Sequence, residues 1–236
     1  MNKEIIAIIG GTGDLGFGLA LRWAKAGVPI LIGSREAAKA VQAARKVAEK
    51  LQAIMPGDRS AKLSVAGYEN AQAAAQATVV VLAVPFPAQI GILKSIRNSL
   101  QDSILVDATV PLAATLGGKA TQMVGVWQGS AAEQARGLVP ARIPVLAAFH
   151  NLSAESLQDP AAPLDCDILV CGDDEPAKQR LYPLVKLIDG LRPINAGPLE
   201  MARIVEPLTA LLISLNQRYK AGHAGIRITG LGQIAK

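Results

Sequence analysis

The stretch from Ile5 to Gly18, IIAIIGGTGDLGFG, constrains this chain more than any other. Five apolar residues, Ile5 to Ile9, run into a glycine-rich turn, and a helical pattern starts at once with Leu19, Ala20, Trp23 and Ala24. A buried strand, a tight glycine turn and a helix start are the parts of a dinucleotide cradle. Gly11 lets the chain turn, Gly13 lets backbone approach a pyrophosphate, and Gly16 lets the helix pack on the strand. The helix start presents free N–H groups and a partial positive charge to the phosphates. The candidate cradle is therefore Gly11, Thr12, Gly13, Asp14, Leu15 and Gly16. The plainer alternative is a glycine turn without a ligand; the strand before it and the helix after it favour the cradle.

Val28 to Ile32 reads as a second strand, ending in Gly33-Ser34-Arg35. An acidic residue here would bind the ribose hydroxyls of NAD and repel the 2′-phosphate of NADP. The chain offers instead a hydroxyl, Ser34, and a permanently charged fork, Arg35. Lys39 follows four residues later on the same helical face. These three read as a 2′-phosphate site, and the expected cofactor is NADP.

The rest of the chain alternates. Helices are expected over 37–53, 71–77, 90–100 and 130–138, and strands over 62–66, 78–84, 103–107 and 142–149. The continuous apolar run from Thr78 to Val84 is a central parallel strand buried on both faces. Loops at the carboxyl ends of such strands carry the ligand. Val84 and Pro85 are placed on the cofactor side of that crevice, and Phe86 and Pro111 on the side of a second substrate. Leu112 to Gly129 reads as a loop crossing over the site. Beyond it come a strand at 167–170, a helix at 176–188 capped by Asp173 or Asp174, a strand at 192–196, a long apolar helix at 198–219 and a glycine-rich tail. The expected fold is α/β, a Rossmann-type mostly parallel sheet with a small C-terminal α+β part packed against it. The expected division is residues 1–150 for NADP and 151–236 for completing the second site. The apolar stretch Val205–Leu215 fits either a core or a dimer interface.

Composition closes off other classes. No apolar run reaches the ~18–20 residues that span a membrane, and no cleavable leader is read at the N-terminus, so a cytoplasmic protein is expected. Two cysteines, Cys166 and Cys171, form neither a disulfide framework nor a metal site. The net charge of +5 favours an anionic partner, but the basic residues are dispersed and only 3% of the chain is aromatic, which argues against nucleic acid.

Acid–base candidates are few: His150, His223 and three tyrosines. Tyr182 and Lys186 have the Y-x-x-x-K spacing of short-chain dehydrogenases, yet they lie in a late helix beside Pro183 and read as coincidence. His150, after the sixth strand, is the catalytic candidate; it either hydrogen-bonds a substrate ring or caps the strand end. A nicotinamide enzyme with no evident proton donor points to hydride exchange between two bound cofactors, where stacking the rings supplies most of the catalysis.

GGTGDLGFGLALRWAKAG followed by IGSRE resembles the NADP-dependent coenzyme F420 reductases, the F420:NADP oxidoreductases. VCGDDEPAK, IDGLRPINAGPLEMARIVEPLTALL and AGIRITG extend the resemblance over nearly the whole chain. It implies reversible hydride transfer between C4 of the nicotinamide and C5 of an 8-hydroxy-5-deazaflavin with an anionic tail, in a homodimer. By the same resemblance, Thr12, Gly13 and Leu15 match the cradle, and Ser34, Arg35 and Lys39 match the 2′-phosphate site. His150 and Leu152 lie beside the deazaflavin, and Gly222 to Gly225, with Ala224, form a turn closing over it. Arg227 is placed against the anionic part. Two alternatives stand beside this: an NADPH-dependent reductase of a carbonyl or imine, and a non-enzymatic NADP sensor.

Overall fold

The computed structural model describes residues 4–55 and 63–231. The first residue of the expected third strand and the last residues of the tail lie outside them.

β1 (Ile6–Ile9), β2 (Ile30–Ser34), β3 (Val65–Glu69), β4 (Val79–Leu82), β5 (Ile104–Asp107), β6 (Val145–Ala147), β7 (Cys166–Gly172) and β8 (Leu191–Asn195) form one sheet in the order 3-2-1-4-5-6-7-8. All neighbours are parallel except β6 and β7. The order reverses between β1 and β4, which pair in register from Ile6–Val79 to Ile9–Leu82. A crevice opens at the carboxyl ends of such a strand pair.

The helices cover both faces. They are α1 (Asp14–Lys25), α2 (Ala37–Gln52), α3 (Asn70–Ala75), α4 (Phe86–Ile96), α5 (Ala131–Leu138), α6 (Ala154–Leu157), α7 (Glu175–Lys186), α8 (Ala202–Val205) and α9 (Leu208–Tyr219). Strand alternation sorts the core. Ile6 and Ile8 pack with Leu19, Trp23 and Val47 on one face. Ala7 and Ile9 pack with Leu93, Ile96 and Ala135 on the other. Ala40, Ala43, Ala44, Val47 and Leu51 form the buried stripe of α2, at the spacing of a one-sided helix.

Several expected boundaries are corrected: the helix expected over 90–100 is α4, Phe86–Ile96, and the strand expected over 142–149 is β6, Val145–Ala147. The third strand extends to Glu69, past the expected end at Ala66. The helix expected over 198–219 is broken into a 3₁₀ turn (Leu199–Met201), α8 and α9. Pro207 has no N–H to continue the helical ladder, so the chain restarts there. The C-terminal strands β7 and β8 extend the main sheet through the antiparallel step at β6.

Candidate active site

The turn after β1 is made at Gly10, whose φ of +89° lies in the left-handed region, one residue before the expected Gly11. A side chain at Gly10 would also strike the carbonyl of Ala83 at the end of β4. This glycine therefore closes β1 against β4 where the sheet order reverses. A Cβ on Gly16 would sit 2.6 Å from the Gly10 oxygen, so α1 can rest on the turn only with glycine there. At Gly13 a Cβ would meet nothing nearer than 3.5 Å, and the residue is exposed.

Gly13 precedes α1 and offers no side-chain cap. The first bond of the helix runs from Phe17 N–H to the Gly13 carbonyl, at 2.8 Å. The amides of Asp14, Leu15 and Gly16 are thus left at an open helix start, the arrangement that accepts a phosphate group. Asp14 is exposed and forms no cap. The residues present fit a dinucleotide pyrophosphate.

Ser34 ends β2, and its Oγ accepts from Glu36 N–H at 3.3 Å. Arg35 is exposed and has no hydrogen bond or ion pair among the described residues. Lys39 pairs with Glu36 at 2.6 Å, but both side chains are largely exposed and such a pair is weak. Thr12, Asp14, Phe17, Lys39, Lys46 and Gln158 line a cavity of 370 Å³ here. Thr12 and Lys39 thus meet in one cavity.

The crevice continues along the strand ends. Val84 is buried against Gly10, Pro85 is exposed and caps α4, and Phe86 is half-buried as its first residue. Pro111 is buried, its carbonyl accepting from Val124 N–H at 2.7 Å. The loop from Leu112 to Gly129 folds on itself through a Leu112–Met123 bridge, and none of its residues lines either of the two cavities described here.

After β6 the chain is fixed tightly. Phe149 takes a left-handed φ of +72° and packs edge-on against Trp23, with ring centres 5.6 Å apart. The Thr209 hydroxyl donates to the His150 carbonyl at 2.6 Å. The Asn151 amide donates to the Asp167 carbonyl at 2.7 Å and to Cys166 Sγ at 3.1 Å. The His150 ring is 3% exposed, and neither nitrogen has a partner among the described residues. Burial lowers its pKa to about 4, so the ring is neutral at physiological pH.

Leu152 lines a second cavity, of 440 Å³, with Ser153, Cys166, His223, Ala224 and Gly225. Ser153 Oγ donates to the Gly222 carbonyl at 3.1 Å, and Ala224 N–H donates to Asn216 Oδ1 at 2.9 Å. Leu152 and the Gly222–Gly225 turn, seventy positions apart in sequence, are thereby joined. Arg227 lies outside this lining. Its guanidinium binds Asp165, Asp167 (2.9 Å) and the Gly190 carbonyl (3.0 Å). In this structure the charge of Arg227 ties the tail to Asp165 and to Asp167 of β7. Asp167 is held at a pKa of about 2, chiefly by the hydrogen bond from Arg192.

Tyr182 is buried in α7 and its hydroxyl has no partner among the described residues, while Lys186 is exposed. Burial pushes Tyr182 up to about 12. The pair is no proton relay. Asp174, the second of the two expected caps, bonds Ala177 N–H at 2.8 Å, and Asp173 bonds Leu199 N–H instead.

Sequence reading missed Lys46, Gln158, Asn151 and Cys166 as lining residues. Lys46 lies two turns beyond Lys39 and could have been found by helical spacing; the others depend on how α6 folds back. Among the described residues no group of three potential metal ligands occurs, and no helix is long and apolar enough to cross a membrane.

Residues 5–111 match the family of NADP oxidoreductases dependent on coenzyme F420. The F420-dependent NADP reductase of Methanothermobacter thermautotrophicus is 50% identical over 227 residues, covering 96% of this chain and 95% of that protein. That of Methanocaldococcus jannaschii is 44% identical over 226 residues, 96% of this chain and 98% of that protein. A solved chain from Arthrobacter sp. FB24, described as an F420-dependent NADP reductase, superposes with a TM-score of 0.77. It is 24% identical, with 96% of this chain and 99% of that one covered. A reductive aminase from Aspergillus terreus shares the fold at a TM-score of 0.60 and 16% identity, over 93% of this chain and 63% of that one. Full-length identity at this level, on a cradle built as above, places the chain in the F420-dependent NADP reductase family.

Proposed function

We infer that this protein catalyses reversible hydride transfer between NADP(H) and coenzyme F420. The observation that carries the reading is the pair of cavities on one sheet edge. One is rimmed by the cradle residue Thr12 and by Lys39. The other is lined by Leu152 and by His223, Ala224 and Gly225 of the C-terminal turn. When bound, the nicotinamide would supply or take up a hydride at C4 and the deazaflavin would exchange it at C5, with the accompanying proton passing between N1 of the deazaflavin and solvent.

The chain's own residues bind and orient. The open amides of Asp14 to Gly16 would hold the pyrophosphate. Ser34, Arg35 and Lys39 would hold the 2′-phosphate; Arg35 supplies a fork of donors that no protein carboxylate occupies among the described residues. Val84, Pro85, Phe86 and Pro111, which follow β4 and β5 at their carboxyl ends, would flank the nicotinamide side of the crevice. His150, proposed beside the deazaflavin, lines neither cavity; its ring is buried and neutral and has no titrating proton to give near pH 7. In this reading residues 1–150 hold NADP and residues 151–236 complete the deazaflavin site.

A carbonyl or imine reductase would need a protein group placed to protonate its substrate, and His150 and Tyr182 are both buried and line neither cavity. A pure NADP sensor would have no use for the 440 Å³ cavity. We further propose a cytoplasmic homodimer. Ile204, Leu211 and Tyr219 are exposed apolar side chains on α8 and α9, which supports a partner surface there.

The test is spectroscopic. Purified protein is mixed with NADPH and oxidised F420, with NADH run in parallel, and the deazaflavin absorbance is followed. Bleaching with NADPH and little with NADH is expected. Tight NADPH binding without bleaching would overturn the acceptor and leave the cofactor standing.

A further inference from the structure

We propose that Arg22 is a positioning residue for the second substrate: it holds the wall of the 440 Å³ cavity against the helix of the NADP cradle. Arg22 lies on α1, is 4% exposed and faces no carboxylate at hydrogen-bond distance. Its guanidinium is spent on backbone carbonyls of one segment. Nε donates to Leu157 at 3.1 Å, Nη1 to Ala162 at 2.7 Å, and Nη2 to Ser156 and Asp159, each at 2.6 Å. Two further cations from the same side join it. Lys25 donates to the Pro160 carbonyl and Lys50 to the Gln158 carbonyl, each at 2.6 Å. Six carbonyls between Ser156 and Ala162 are gathered by three basic side chains.

A buried guanidinium is costly to desolvate, and here four of its five N–H donors are used on carbonyls, with Asp159 and Asp189 near enough to favour the charge. The fold accommodates it further. A Cβ on Gly18 would lie 2.5 Å from Leu157 Cβ, so α6 touches the backbone of α1 where a side chain would keep them apart. The clamped segment is short, with a single turn of helix, α6, and little core of its own: Leu157 is its fully buried apolar side chain.

This segment is the wall between the two sites. Ser153, Glu155, Ser156, Asp159 and Ala162 line the larger cavity. Gln158, held by Lys50, lines the cavity beside Thr12 and Lys39. α1 therefore carries the pyrophosphate amides at its start and, two turns on, the charge that sets the acceptor's wall. Arg is needed because its planar fork reaches carbonyls in several directions; a Lys ammonium has three donors on one atom.

The proposal rests on the reading of the larger cavity as the F420 site, and the experiment separates the two. KM for F420 and for NADPH and kcat are measured for Arg22→Lys, for the surface double variant Lys25→Met/Lys50→Met, and for Leu152→Trp. Leu152→Trp fills the cavity directly, and an unchanged KM for F420 in that variant would overturn the cavity reading. With Leu152→Trp impaired, Arg22→Lys is expected to raise KM for F420 about tenfold, with kcat at saturation and KM for NADPH each within about twofold. An unchanged KM for F420, or a parallel rise in both KM values, overturns the clamp. Should Arg22→Lys fail to fold, the double variant decides: because Lys50 also holds Gln158 of the nucleotide cavity, a rise of about threefold in KM for F420 that exceeds any rise for NADPH supports the clamp, and no rise or an equal rise in both overturns it.

Discussion

At the scale of single residues, the proposal for Ser34, Arg35 and Lys39 depends on one local fact, their place after the second strand. Arg35 is also the residue whose loss should be most selective. It is exposed and makes no protein bond among the described residues, so removing it leaves the fold untouched. Arg35→Ala should raise KM for NADPH by about 10- to 100-fold, on the order of 1.5–3 kcal/mol for charge-assisted bonds to a phosphate, and change KM for NADH little. Steady-state kinetics with both nucleotides checks this; equal losses for the two would move the 2′-phosphate away from Arg35. Arg227 shows the opposite case. A basic residue near the expected tail contact looked available in sequence, but Asp165 and Asp167 come to it across some sixty positions and use its charge. Nothing local in the sequence announces a partner at that distance.

At the scale of elements, the strands and helices that periodicity marks strongly are present, and the errors fall where one residue overrides a run. Pro207 breaks an apolar stretch that reads as one helix. The turn at Gly10 rather than Gly11 depends on the approach of Ala83 from β4, a tertiary contact. The contact of α1 with α6 is of the same kind, since Gly18 reads in sequence as one more small residue in a helix. Gly18→Ala puts a methyl group where Leu157 already sits, and gains only a modest intrinsic preference for helix. The variant should lose about 1–3 kcal/mol of stability, as overpacked contacts do. Denaturant unfolding would measure it, and a variant as stable as the parent would mean that α6 is free to move away.

At the scale of the whole molecule, what sequence could least anticipate is the set of buried titrating groups, which the packing of distant elements creates. Glu206 and Asp107 lie in the interior with no cation bonded to them. Glu206 joins the break between α8 and α9 to the start of α5, accepting from Ala131 N–H at 2.9 Å and from Ala132 N–H at 3.0 Å. Burial raises its pKa to about 8 against the pull of those amides, with a further push from Asp107. Asp107 accepts from Gln89 at 2.6 Å and from Thr109 N–H at 2.7 Å, and burial raises it to about 6. His150 is lowered to about 4. The signs follow from which state holds the proton. For the two acids the folded state binds protons more tightly than the unfolded chain, so stability falls as pH rises, from about 3.8 to 6 for Asp107 and from about 4.5 to 8 for Glu206. For His150 the unfolded chain binds the proton more tightly, so stability rises with pH from about 4 to 6.5. Between pH 4.5 and 6 His150 and Asp107 oppose one another. Above pH 6.5 Glu206 acts alone among the three, and unfolding free energy should drop by on the order of 1–2 kcal/mol by pH 8. Glu206→Gln removes the titration, at the cost of setting an amide NH2 against one of the α5 amides. It should be less stable than the parent near pH 6, with a profile that is flat from pH 6.5 to 8. Urea unfolding across that range reads both curves, and a parent profile as flat as that of the variant would mean that Glu206 is already ionised in the fold, held by the two amides at the start of α5.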